Sequence, residues 1–147
     1  MSRPVLSQLN LIVRDMDASL SFYRALGLDI PEAAVWRTAS GPHHVETEQG
    51  NGFELAFDSP ALAKAYDQSW PEAGGRSTGS VLGFRVRTRD EVDALHEKLT
   101  GLGHRSLQPP YDTFWGSRYA IVEDPDGNHV GVMSPADPER RGQPPAV

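Results

Sequence analysis

One pattern in this chain recurs 73 residues later and limits what the chain can fold into. Residues 6–30, LSQLNLIVRDMDASLSFYRALGLDI, open with Leu9, Leu11 and Val13 alternating against Gln8, Asn10 and Ile12. That period of two is a strand with one packed face and one more polar face. Asp15 or Asp17 then offers a carboxylate to cap a helix. Met16, Leu20, Phe22, Tyr23 and Leu26 supply its apolar stripe, and Gly27 stands where a helix ends in left-handed backbone. Residues 81–103, VLGFRVRTRDEVDALHEKLTGLG, repeat the plan: Leu82, Phe84 and Val86 alternate, and Val92, Leu95, Leu99 and Leu102 take helical spacing. Thr88 and Glu91 form a capping box that specifies the second helix start. Aligning Val13 with Val86 also pairs Asp17 with Asp90 and Leu26 with Leu99. Two long copies predict a duplicated module, whereas a solenoid needs three or more short ones.

Each copy continues into short strands. In the first module (residues 5–58), 34–40 and 43–49 read as strands joined through Gly41 and Pro42. Gly50-Asn51-Gly52 is a turn, and Phe53, Leu55 and Phe57 alternate with Glu54 and Ala56. The form is βαβββ. Residues 59–79 form a linker, with Pro60 suited to the first turn of a short helix that ends by Pro71. The second module (residues 80–134) adds a weak strand near 104–107, a break at Pro109-Pro110, and strands at 116–123 and 129–133. Between the last two, Asp124-Pro125-Asp126-Gly127-Asn128 is a turn in which proline presets one φ and glycine supplies the positive one. The whole reads as a single α+β domain over residues 1–134. Residues 135–147, PADPERRGQPPAV, carry four prolines and no apolar periodicity, so a flexible tail is expected there.

Charge and composition narrow the function classes. With 14 Lys and Arg against 20 Asp and Glu, the net charge of −6 predicts no nucleic-acid partner. No run approaches the roughly 18 apolar residues of a membrane span, so no membrane partner is expected either. The absence of cysteine excludes disulfides, zinc–thiolate sites and thiol catalysis. The N-terminal MSRPVLSQLN has no apolar signal block, and cytoplasmic residence is the expectation.

The doubled βαβββ module, with VRDMDASLSFYRALGL in the first half and EDPDGN in the second, resembles the vicinal oxygen chelate superfamily. That superfamily includes glyoxalase I, extradiol dioxygenases, fosfomycin resistance enzymes and bleomycin resistance proteins. The resemblance covers residues 5 to about 134. It implies two modules that each curl into half of an open barrel and together enclose a pocket, commonly in a homodimer. It also implies a divalent metal at four positions, which here hold Gln8, Glu54, Val81 and Gly131. Only two of these carry an oxygen donor, a thin set for a hard ion that takes several oxygens. A nitrogen-preferring metal would want histidines, and none falls on a matched position. His129, on the strand face of Gly131, is the best substitute donor. His43 and His44 are expected at an exposed hairpin, although His44 and Glu46 share a face. His96 is expected at the helix surface or the core edge, and His104 in a solvated connection.

Trp36, Trp70, Tyr111, Phe114, Trp115 and Tyr119 concentrate where strands and loops would rim a cup, and flat aromatic faces stack on planar ligands. Arg37, Arg85 and Arg118 are candidate partners for an anionic group. The missing metal donors favour a small-molecule binding protein of the bleomycin resistance type over an enzyme. It would sequester a planar, antibiotic-like compound with no cofactor, as in antibiotic resistance, through Gln8, Asn10, Trp36, Glu54, Val81, Trp115 and Gly131. The alternative is a metal-dependent glyoxalase-like lyase, isomerase or dioxygenase using Gln8, Glu54 and His129. A pure interaction module has the least support. Leu9, Leu11, Val13, Leu82, Phe84 and Val86 are expected beneath the helices.

Overall fold

A computed structural model describes residues 8–66 and 81–143. The chain divides into two compact units, Met1–Gly75 and Arg76–Val147. The first contains β1 (Gln8–Ile12), α1 (Met16–Leu26), β2 (Trp36–Thr38), β3 (Gly41–Glu48), β4 (Glu54–Asp58) and a short α2 (Pro60–Tyr66). Its sheet has the order β1-β4-β3-β2, with β1 parallel to β4 and the other pairs antiparallel. Asp15, rather than Asp17, caps α1 by accepting the Ala18 N–H at 3.0 Å. Gly27 ends the helix at φ 120°, with its N–H on the carbonyls of Tyr23 and Arg24. A 3-10 turn over Glu32–Ala34, entered from Pro31, replaces the start of the strand expected at 34–40.

The second unit repeats the topology. It contains β5 (Val81–Arg85), α3 (Arg89–Gly101), β6 (Ser106–Asp112), β7 (Arg118–Glu123) and β8 (His129–Met133), in the order β5-β8-β7-β6. The fold is therefore α+β, two βαβββ modules each built on an open four-stranded sheet. Both halves of the Thr88 and Glu91 capping box are formed, at 3.2 and 3.0 Å. In the turn before β8, the buried Asp124 carboxylate accepts the N–H groups of Asp126 and Asn128 at 2.9 and 2.8 Å. Gly127 there takes φ 86°.

Two further expectations differ from what forms. The strand near 104–107 does not stop at Pro109-Pro110; β6 runs through both to Asp112. It is an edge strand, where a proline facing outward costs no ladder bond, and the register shift between Gln108 and Tyr111 accommodates its neighbour. Leu9 is 38% exposed and Leu82, Phe84 and Val86 are only partly covered. The cause is helix placement. α1 lies over β3 and reaches β4 through Tyr23 and Phe57, 4.9 Å apart, while α3 lies over β6, β7 and β8. The edge strands β1 and β5 get less cover. Leu11 and Val13 are buried as expected. Beyond Ser134, Pro138–Arg140 form a 3-10 turn capped by Asp137, and backbone bonds join Asp137 to Gly116 and Gly142 to Phe114.

Candidate functional site

Alternation sorts each sheet into a helix-covered face and an open one. In the first module Leu11, Leu55, Phe57 and Val45 lie on the covered side with the aromatic ring of Tyr23. The open side carries three in-register rows: Gln8–Glu54–Glu48, Asn10–Ala56–Glu46 and Ile12–Asp58–His44. Side chains in the last two rows are hydrogen-bonded together. The Asp58 carboxylate, 1% exposed, accepts from Asn10 Nδ2 at 2.7 Å and meets His44 Nδ1 at 2.6 Å. An ionised carboxylate can only accept, so Nδ1 is the donor of that bond and Nε2 is the ring nitrogen left for another partner. That nitrogen stands 3.8 Å from Glu46 Oε2, and the His44 side chain is 32% exposed. Trp36, 51% exposed, is the strand partner of His44.

The open face of the second module has another character. Val81, Gly83 and Arg85 on β5 pair with His129, Gly131 and Met133 on β8, which face Glu123, Ile121 and Tyr119 on β7. Tyr119 stands diagonally across from Gly131, and its ring lies over that glycine's backbone. A Cβ at Gly131 would meet the Tyr119 hydroxyl at 2.6 Å. Tyr111 and Trp115 flank Tyr119 at ring-centroid distances of 6.2 and 6.0 Å, and Phe114 sits edge-on to Trp115 at 5.1 Å. Burial, and to a smaller degree Tyr111, raises the Tyr119 phenol above the usual tyrosine pKa.

The family model for the glyoxalase/bleomycin resistance protein/dioxygenase superfamily matches residues 5–132. The chain belongs to that superfamily. Among solved structures, a glyoxalase-related enzyme from Fulvimarina pelagi is 26% identical, with 89% of this chain and 88% of that one covered and a TM-score of 0.73. A superfamily member from Burkholderia phytofirmans is 23% identical over 88% of this chain and 97% of that one, with a TM-score of 0.71. TnmS3, an antibiotic-binding protein from Streptomyces, is 24% identical over 92% and 99%, with a TM-score of 0.62. No curated protein sequence matches the chain.

The superfamily resemblance implies a divalent metal, and the residues present do not fit one. Gln8 and Glu54 are strand partners, so the first module offers one amide and one carboxylate at matched positions. In the second, Val81 has no donor, and Gly131 has neither a donor nor room for one beneath Tyr119. By register the counterpart of Glu54 is His129, which pairs with Val81 just as Glu54 pairs with Gln8, while Gly131 corresponds to Ala56. Among the described residues no three His, Asp or Glu side chains are grouped to hold an ion.

The candidate residues thus fall into two sets. Gln8, Asn10 and Glu54 share the open face of the first module with Trp36 at its far edge strand; Gly131 and Trp115 gather around Tyr119 in the second, and Val81 lies at the exposed start of β5. Trp70 lies outside the described residues. Two of the three candidate arginines are already engaged: Arg37 with Asp17 and Glu32, Arg118 with Asp93 and Asp112. His43 is held by the hydroxyls of Ser40 and Ser59, and His96 by that of Ser106. Asp58 was not singled out from the sequence, although the turn centred on Asn51 sets residue 44 opposite residue 58.

Proposed function

We propose that the protein binds a planar organic compound against the aromatic cluster of its second module, with no metal ion at the family's ligand positions. One observation supports this above the others: the Tyr119 ring covers Gly131, a position to which the superfamily resemblance assigns a metal-binding carboxylate, while the register match of Glu54 is His129 at the exposed start of β8. Tyr111 and Phe114 leave part of their rings exposed beside it. Such surfaces gain affinity by stacking and by burying apolar area, with little side-chain entropy to lose. An antibiotic-like compound belongs to this ligand class, and the fold is shared with one antibiotic-binding protein. A homodimer in the cytoplasm fits the reading, since each open sheet leaves edge strands that pairing can cover. A metal-dependent lyase, isomerase or dioxygenase through Gln8, Glu54 and His129 has less support, because it lacks donors at Val81 and Gly131.

The test is a fluorescence titration with planar quinones and other flat aromatics. Saturable tryptophan quenching is expected from at least one scaffold. About one bound iron, nickel or zinc per chain surviving dialysis, found by elemental analysis, would overturn the reading in favour of the metal-dependent one.

A further inference from the structure

We propose that His44 is a general base that takes the proton of an acidic hydroxyl group, a phenol or an enol, of a small molecule bound on the open face of the first module. The inference rests on that module alone and stands apart from ligand binding at the aromatic cluster. Its basis is the chain Asn10–Asp58–His44, with bonds of 2.7 and 2.6 Å. A buried carboxylate behind Nδ1 fixes the ring orientation and, in the neutral imidazole, the tautomer, so that Nε2 of the neutral ring is an acceptor turned away from Asp58. A histidine that merely filled space would not need a 1% exposed carboxylate as its partner. Asn10 in turn holds the Asp58 oxygen that His44 does not use.

The surroundings select the chemistry. From β3, Glu46 stands 3.8 Å from Nε2; from β4 and β1 come Asp58 and Asn10; from β2 comes the exposed Trp36. When Nε2 gains a proton, the new positive charge lies between two carboxylates. The balance is simple: the O–H bond breaks, its electron pair stays on oxygen, and the proton forms the N–H bond of an imidazolium. The oxyanion is then held by that N–H itself. Abstraction from carbon would require a separate cation or donor for a developing enolate. Among the described residues β1, β3 and β4 carry no Lys or Arg, the Asn10 amide is committed to Asp58, and Arg37 on β2 is committed to Asp17 and Glu32. A hydroxyl acid fits this face, because the oxyanion it leaves is held by the imidazolium N–H formed in the same step.

The probe is 4-nitrophenol, at a pH where the free compound is mostly neutral. Wild-type protein should develop the yellow phenolate band saturably, and the His44 ring nitrogens should shift from the Nδ1–H tautomer to imidazolium by 15N NMR. His44→Gln should lose the band and bind the phenol about ten- to a hundredfold more weakly, the loss of one charge-assisted hydrogen bond. Asp58→Asn should act differently. Its carbonyl can satisfy Asn10 only if its NH2 faces Nδ1, which forces the histidine proton onto Nε2; NMR should report that tautomer and the band should vanish. A phenolate band that persists in His44→Gln, or a wild-type protein that gives no saturable band, overturns the proposal. The wild-type NMR measurement decides even if the Asp58 variant folds poorly. Tryptophan quenching by quinones is read separately, so either result stands without the other.

Discussion

Tyr119 and Gly131 are locked together: the phenol ring lies on the glycine so closely that a methyl group there would stand 2.6 Å from the hydroxyl and 2.8 Å from a ring carbon. The backbone of Gly131 is ordinary extended strand, so the constraint on residue 131 is steric. Gly131→Ala should force the ring from its place and cost about 1–3 kcal/mol, the usual range for overpacking. Thermal melts of Gly131→Ala, Tyr119→Ala and the double variant check this. The double variant should be more stable than the two single losses added together, because neighbours in contact are not additive. Strict additivity would mean that the ring is free to leave.

Asp58 makes a second prediction. Asp58→Ala removes a buried acceptor from both Asn10 and His44. It should cost about 2–3 kcal/mol, below the range for a fully buried pair because His44 reaches solvent. Urea denaturation measures the loss. Glu46→Ala, one residue pair along the same face but largely exposed, should change stability by less than about 0.5 kcal/mol.

The two modules were legible in the sequence because their signals are local. The strands β1 and β5, the Thr88 cap and Gly27 each depend on a few neighbouring residues, and all form as expected. What the sequence obscured depends on register and on where helices settle. Leu9 has the same alternation as Leu11, yet it lies exposed because α1 crosses the other half of the sheet. His44 looked like a hairpin residue until the β3–β4 register set it against Asp58. Tyr119 looked like one aromatic among six, and only the diagonal across β7 and β8 brings its ring over Gly131.

The Tyr119 phenol is held above the usual tyrosine pKa, first by burial and then by Tyr111. The sign follows from which state ionises first. Below the usual tyrosine value the ring is neutral in both folded and unfolded chains, and its contribution to stability is fully present. As pH rises past that value the unfolded chain releases the proton while the folded one holds it, so stability falls until the folded pKa is passed. Tyr119→Phe should therefore lose stability less steeply than wild type in the alkaline range. Chemical denaturation at a series of alkaline pH values, with ultraviolet titration to count phenolates, checks this. Identical slopes would place Tyr119 in an ordinary solvent environment.

Trp115 separates a ligand-binding aromatic surface from mere packing. Its ring is only partly covered and meets both Phe114 and Tyr119, so it borders the surface that the proposed ligand would cover. Trp36 is the fitting comparison: it is an exposed tryptophan of the other module, with its ring 5.3 Å from His43. For a planar quinone that quenches saturably, Trp115→Ala should weaken binding by about 1–3 kcal/mol, the range of an interface anchor. Trp36→Ala should leave the affinity within a few tenths of a kcal/mol. Tyr119→Ala should match or exceed the Trp115 loss, because it removes the ring at the centre of the cluster and opens the floor at Gly131. Isothermal titration calorimetry on the three variants supplies the affinities independently of the fluorescence that two of them alter. Equal losses for Trp115→Ala and Trp36→Ala would take the ligand away from the aromatic cluster.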